Sequence, residues 1–293
     1  MDTFVNSKFK FFLSKINPTT SELEKSDVRV SRIVNRIKSD FDTRRVFIAG
    51  SHWKKTAVKW YSDIDIFVVM AKEEAKKWAP DFNSFTLMKR LRNSVHGTFP
   101  NNLVRVDRQA VVARFNQGDY LIDAVPAIFE SFDKQRKAPI YLIPSGNGKW
   151  IRTCPDHQKS VLEENHRTSG NKLKSLVRAM KWWASCREVT ASLSSLYIEN
   201  LIMACQISLD QTYLESMTEI FGILKKHKLP AIKDPIGLSG YFQPLKRTSQ
   251  LDAALVTVEA CYNRARKALE YESKGNDRNA DALWKSIFNG NGY

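Results

Sequence analysis

Ser62-Asp63-Ile64-Asp65-Ile66-Phe67-Val68-Val69-Met70 is the stretch on which the fold turns. Its apolar, β-branched composition reads as a strand, and alternation sends Asp63 and Asp65 to one face while Ile64, Ile66 and Val68 take the other. Two carboxylates side by side on an otherwise apolar strand repel unless a cation lies between them, so this D-x-D points to divalent metal binding. The competing reading is an edge strand with solvated acids. It weakens with Tyr120-Leu121-Ile122-Asp123-Ala124-Val125, a second apolar strand carrying one acid immediately before Pro126. Three acids on adjacent strands suit two Mg²⁺ ions, with Mn²⁺ as the alternative, in the arrangement used for in-line phosphoryl transfer.

Upstream, Arg45 to Ala49 reads as a short strand ending at Gly50-Ser51. Glycine there permits close backbone approach, and a following hydroxyl can meet phosphate oxygens. Val30, Ile33, Val34, Ile37 and Phe41 recur at helical spacing, and Ser21-x-x-Glu24 reads as a capping box. Downstream, residues 72–93 are charged and helix-compatible. Leu103 to Val106, Ala110 to Phe115 and Tyr120 to Val125 then read as strands, with a turn at Asn116-Gln117-Gly118-Asp119. Pro139 to Pro155, containing Pro144, Gly146 and Gly148, reads as a linker. From Glu163 onward strands are not expected: Leu173, Leu176, Val177, Met180 and Ala184 repeat at helical spacing, as do Ile198, Leu201, Ile202, Cys205 and Leu209. An α+β chain of two domains follows, residues 1–160 forming a core with an N-terminal helix and residues 161–293 a helical domain. The tail Asn289 to Tyr293 reads as frayed.

The 293 residues carry 46 Lys and Arg against 31 Asp and Glu, a net charge of +15. With 43% hydrophobic residues the chain is expected to fold rather than remain disordered. Charges at Asp2, Lys8, Lys10 and Lys15 with no small-residue cleavage site argue against a secretory leader, and no apolar run is long enough to span a bilayer. Cys154, Cys186, Cys205 and Cys261 lie far apart without CxxC spacing, which suggests neither a zinc site nor a disulfide framework. A cytoplasmic protein without a membrane role is expected. The cations are interleaved with acids along the chain, a pattern that favours handling of small phosphates, with only weak binding of polyanions.

Gly50-Ser51, a loop with Thr56, then Ser62 to Ile66 and Ile122-Asp123-Ala124-Val125-Pro126-Ala127 together resemble the signature of the polymerase-beta-like nucleotidyltransferase superfamily. Further stretches narrow the likeness: Ile16 to Thr19, Tyr141 to Pro144, Lys149 to Pro155, Asn171 to Trp183, Leu193 to Glu199, Asp234-Pro235 and Ala282 to Gly290. They resemble the cGAS/DncV-like nucleotidyltransferases (CD-NTases), bacterial relatives of cyclic GMP-AMP synthase and oligoadenylate synthase. The resemblance implies a polymerase-beta-like core with a mixed sheet, an oligoadenylate-synthase-like C-terminal helical domain, and an NTP cleft between the two. It also implies that Asp63, Asp65 and Asp123 are the catalytic metal ligands. Gly50 and Ser51, Lys181 and Ser195 are implied as nucleotide contacts. The implied activity is synthesis of a cyclic di- or trinucleotide second messenger from NTPs, ATP among them, read by a cyclic-nucleotide-activated effector in bacterial anti-phage (CBASS) signalling.

One departure stands out: Lys54-Lys55 replace the Arg-Gly that usually precedes the Thr. Lys174, Arg178 and Lys181 fall on one helical stripe, read either as a basic face toward the cleft or as a solvated one. At least one of Trp182 and Trp183 is expected in the core, and no histidine is assigned a catalytic role. Two rivals remain. A linear nucleotidyltransferase acting on tRNA or a small molecule is disfavoured by the second-half resemblance. A catalytically dead nucleic-acid-sensing scaffold is disfavoured because unneutralised carboxylates repel polyanions. Nucleic acid is therefore not expected as a substrate.

Overall fold

The computed structural model describes residues 3–59, 61–116, 119–206, 208, 210–245, 248–291 and 293. In chain order these form α1 (Phe4–Lys15), α2 (Thr20–Asp40), β1 (Thr43–Ile48), α3 (Gly50–Lys54), β2 (Ile64–Met70), α4 (Lys72–Trp78), α5 (Ser84–Thr98), β3 (Leu103–Asp107), β4 (Ala110–Arg114), β5 (Ile122–Asp133), β6 (Ala138–Pro144) and β7 (Trp150–Thr153). There follow α6 (Pro155–Thr168), α7 (Leu173–Ser185), α8 (Glu188–Ala191), α9 (Ser195–Ala204), α10 (Tyr213–Lys226), β8 (Ile232–Lys233), β9 (Tyr241–Phe242), α11 (Leu251–Ser273) and α12 (Asp277–Ile287). Two compact units result: Pro18–Val161, and Met1–Asn17 together with Leu162–Tyr293.

In the first unit the sheet runs β1-β2-β5-β4-β3, with β6 beside β5 and β7 beside β6. β2 and β5 are parallel and the other pairs antiparallel, so the sheet is mixed. Strand alternation gives it two different faces. One carries Ile64, Ile66 and Val68 of β2 and Ile122 and Ala124 of β5, covered by Ile33 and Ile37 of α2 and Leu87 and Leu91 of α5. The other carries the acids at one end and a smaller apolar cluster of Phe67, Val69, Ala127 and Tyr141 further along. Burying the first face supplies the main hydrophobic driving force of this unit.

Several local expectations are corrected here. The capping box of α2 is Thr19 with Glu22, not Ser21 with Glu24, because the backbone is still extended at Thr19, directly after Pro18. The proline-rich stretch from Pro139 to Pro155 is not a linker: β6 and β7 form a hairpin there, with Gly146 (φ +88°) and Gly148 (φ +84°) supplying the left-handed turn conformations. β5 runs on through Pro126 to Asp133, giving β6 its partner. Gln117, Gly118 and Leu209 lie outside the described residues.

In the second unit α1 contributes Phe9 and Phe12, whose rings lie 6.3 Å from Trp284 and 4.7 Å from Phe288, respectively. These aromatic contacts join residues 1–17 to the helical unit, whereas the expected division assigns them to the core. The C-terminus is not frayed either. Tyr293 stacks on Phe288 at 5.5 Å and 17°, and Trp182 Nε1 donates to the Asn291 carbonyl at 3.0 Å. Strands are not wholly absent from this half, since β8 and β9 form a short antiparallel pair. All four cysteines are free. Among the described residues no helix is long and apolar enough to cross a membrane.

Helix α7 buries Leu173, Leu176, Val177, Met180 and Ala184, as the spacing predicts, and Trp183 is the core member of the tryptophan pair. The basic stripe, however, turns inward. Lys181 is wholly buried, its Nζ 2.7 Å from Glu199 Oε1 on α9, and Lys174 is buried with Nζ 2.7 Å from Glu163 Oε2. Burial also lowers the pKa of Arg178 from its ordinary value. Removing one member of a fully buried pair strands the other charge. Lys181→Ala should therefore lower stability by about 3–5 kcal/mol in urea denaturation, while Lys181→Met with Glu199→Leu should recover most of that loss.

Candidate active site

The site begins with strand register. β2 and β5 run parallel with Asp65 opposite Asp123, so two carboxylates share one cross-strand position. Asp63 lies two residues before Asp65, immediately ahead of β2. The apolar partners Ile64, Ile66, Ile122 and Ala124 on the opposite face lock this register, because a slip of one residue would bury the acids. The sequence-predicted trio is thus brought together on one face, at the edge of a cavity of about 430 Å³.

The β1 end completes the arrangement. Ala49 N–H donates to the Asp65 carbonyl at 2.8 Å, which brings Gly50 against the Asp65 side chain. Gly50 has φ +57°, and a Cβ there would stand 1.8 Å from Asp65 Oδ2. Glycine is therefore required twice over, by backbone conformation and by space. Ser51 follows within α3, which ends at Lys55 in the left-handed conformation, φ +58°. Lys55 occupies the position of the usual glycine, so the loop keeps the glycine-like turn with a lysine in it. Lys54 is buried and Lys55 exposed, so only one of the two presents its charge to solvent.

Electrostatically the pocket is strained by like charge. Burial raises the Asp63 carboxyl above its ordinary range. Burial first, then the neighbouring Asp63, Asp65 and Asp107 carboxylates, pushes Asp123 up to about 8. Asp123 Oδ1 is buried and has no hydrogen-bond partner among the described residues. Among the described residues no group of three His, Cys, Asp or Glu side chains is placed to hold a metal ion. The site nevertheless fits a hard divalent cation: all its donors are carboxylate oxygens, and one of them is buried with no hydrogen-bond partner among the described residues. Mg²⁺ typically takes only one or two carboxylates and completes its octahedron with water and substrate phosphates.

The remaining expected residues lie in the helical unit. Ser195 is the first residue of α9, half-buried beside its N-cap Ser194, and Lys181 is held by Glu199 as described. His52 packs edge-on against Tyr120 at 5.4 Å. Four cavity residues were not singled out by sequence, namely Arg105, Asp107, Arg108 and Gln109. The only signal for them is the alternation Arg105-Val106-Asp107, which by itself reads as a solvated edge.

Two outcomes follow from this geometry. Gly50→Ala should cost about 1–2 kcal/mol in chemical denaturation from the left-handed backbone alone. It should also abolish pyrophosphate release, because its methyl displaces the Asp65 carboxylate. Asp123 has its folded pKa raised, so the stability it confers when protonated is lost as pH climbs from about 4 through about 8. Asp123→Asn removes that loss. In EDTA its melting temperature should exceed wild type by a margin that widens from pH 5 to pH 8.5, and Mg²⁺ should narrow the margin.

Comparison with known proteins identifies the family and the fold. Residues 4–165 match the family model of the Second Messenger Oligonucleotide or Dinucleotide Synthetase (SMODS) domain. A Bacillus cereus protein described as "Probable cyclic nucleotide synthase" is 23% identical over 88% of this chain and 85% of its own. The Escherichia coli cyclic AMP-AMP-AMP synthase is 22% identical over 60% of this chain and 55% of its own. Among solved structures, E. coli CdnC in complex with HORMA-deltaN superposes with a TM-score of 0.76 at 18% identity, covering 100% of this chain and 98% of that one. Vibrio cholerae DncV with a linear intermediate gives 0.64 at 15% identity, covering 82% and 67%. With the acid-bearing mixed sheet, the match over more than half the chain places it: the protein belongs to the SMODS family of second-messenger nucleotidyltransferases, the CD-NTases, and has their polymerase-beta-like α+β fold.

Proposed function

We propose that this chain joins NTPs, ATP among them, into a cyclic di- or trinucleotide second messenger, with Asp63, Asp65 and Asp123 as its catalytic acids. The observation that carries the chemistry is the register pairing of Asp65 with Asp123 beside Asp63, with Asp123 Oδ1 left without a partner among the described residues. The names of the two sequence relatives support the cyclic product. In each transfer an acceptor hydroxyl oxygen bonds to the α-phosphorus, the bond from that phosphorus to the α–β bridging oxygen breaks, and pyrophosphate leaves. Asp123 takes the hydroxyl proton as general base. Two Mg²⁺ or Mn²⁺ ions held by the three acids would neutralise the triphosphate and make the attacking hydroxyl more acidic.

Residues 18–161 serve as the nucleotidyltransferase core, where Gly50 and Ser51 approach the phosphates. Within the helical unit Ser195 and Lys181 are the proposed phosphate contacts, and for Lys181 this requires its amine to exchange Glu199 for phosphate. The reading extends to a cytoplasmic enzyme of bacterial anti-phage signalling whose product is consumed by a cyclic-nucleotide-activated effector. Nucleic acid is not its substrate, and the +15 charge gives at most weak, salt-sensitive polyanion binding.

Incubation with four labelled NTPs and Mg²⁺ or Mn²⁺, then phosphatase treatment and mass spectrometry, tests the proposal. A phosphatase-resistant small product is expected from wild type and none from Asp63→Asn or Asp65→Asn, both still folded by circular dichroism. Extension of an added RNA primer without any resistant small product would replace this reading with a linear transferase.

A further inference from the structure

The acid-bearing face of the sheet continues sideways onto strands that carry no recognised motif. Asp65 pairs with Asp123, Asp123 with Val112, and Val112 with Arg105, so these four residues form one row across β2, β5, β4 and β3. Side chains in a row stand on the same face. Two residues beyond Arg105 on that face is Asp107, whose Oδ2 accepts a hydrogen bond from Arg105 Nη2 at 2.9 Å. Both side chains are substantially exposed, at 56% and 41%. A pair so exposed adds little to stability, so the fold does not need it.

The geometry between the acids and this pair is that of a platform. Arg105 lies two strand spacings from Asp123, about 10 Å. The floor between them is Val112 of β4, with Leu121 and Val125 flanking Asp123 along β5. A nucleoside with its sugar hydroxyls at Asp123 would lay its base along this floor and bring the far edge of the base to Arg105 and Asp107. The polar edge is also fixed in place. Arg108 and Gln109 form a two-residue turn closed by the Asp107 and Ala110 pair, Arg108 has φ +51°, and its backbone rests against Gly146 of the β6–β7 turn.

We propose that this row seats the acceptor nucleotide, the one whose hydroxyl attacks, and that Arg105 and Asp107 select guanine as its base. The inference rests on the nucleotidyltransferase reading above. Guanine presents N1–H and N2–H side by side, the doublet that a carboxylate accepts bidentately, and O6 beside them accepts from a guanidinium. Adenine offers a single N–H next to an acceptor nitrogen, so it forms one charge-assisted bond fewer with the same pair.

Wild type, Asp107→Asn and Arg105→Gln are each given equimolar ATP and GTP with Mg²⁺, and the base composition of phosphatase-resistant product is read by mass spectrometry. In parallel, GTP and ATP binding is measured by calorimetry with Ca²⁺ in place of Mg²⁺. Guanine is expected in the wild-type product, with the GTP-to-ATP incorporation ratio falling about tenfold in either variant, the scale of one lost hydrogen bond to a charged group. A purely electrostatic influence on Asp123 would slow both nucleotides alike and leave the ratio unchanged. A resistant product lacking guanine, or an unaltered ratio in both variants, overturns the base-reading assignment while leaving the proposed function intact. Absence of any resistant product overturns the proposed function, and the binding preference and its loss in the variants then decide the base-reading assignment independently.

Discussion

Parallel pairing of β2 with β5 is the constraint from which the rest of the site follows. It sets Asp65 against Asp123 in one register, on a face where neighbouring apolar side chains thin the solvent. Like charges held that close are unfavourable, and the protein tolerates them because the opposite face of the same two strands buries Ile64, Ile66, Val68, Ile122 and Ala124. Hydrophobic burial on one side thus holds electrostatic strain on the other. Burial first and the neighbouring carboxylates second raise the pKa of Asp123, and a cation at the site would relieve the second.

The strain also dictates the shape of its surroundings. Gly50 has to lack a side chain because Asp65 already occupies the space that a Cβ would need. Lys55 shows the complementary case: the left-handed turn is preserved without glycine, closed by the Lys55 N–H on the His52 carbonyl and the Thr56 N–H on the Ser51 carbonyl. Arg105 enters the same field from β3 and partly offsets the negative charge at Asp123, while Asp107 adds to it. The acids are therefore one end of a charged row rather than an isolated cluster.

The helical unit obeys a different logic. Its aromatic residues are spread over both chain ends, with Phe9 and Phe12 from α1 meeting Trp284, Phe288 and Tyr293. Lys181 pairs with the buried Glu199 and Lys174 with the partly exposed Glu163, so that basic residues spaced like a solvated face sit inside instead. A helical period reports which residues share a face, but not whether that face meets solvent, because an acid on another helix can neutralise it at any distance along the chain.

By itself the sequence determined the α+β class, the acid trio and the helix-bearing second half, because strand alternation and helical periodicity are local and the D-x-D motif has few cheap explanations; the family was legible only through the likeness of its motifs to those of the CD-NTases. The sequence also located Gly50 from its place at a strand end. Non-local pairing escaped it. Only the tertiary structure put α1 with the C-terminal aromatics, set β6 of the proline-rich stretch against β5, and paired Lys181 with Glu199. Only the sheet register set Arg105 and Asp107 in line with the acids. Each of these depends on which segments meet after folding, a choice made by burial and hydrogen bonding between residues far apart in sequence, and no single window of the chain contains both partners.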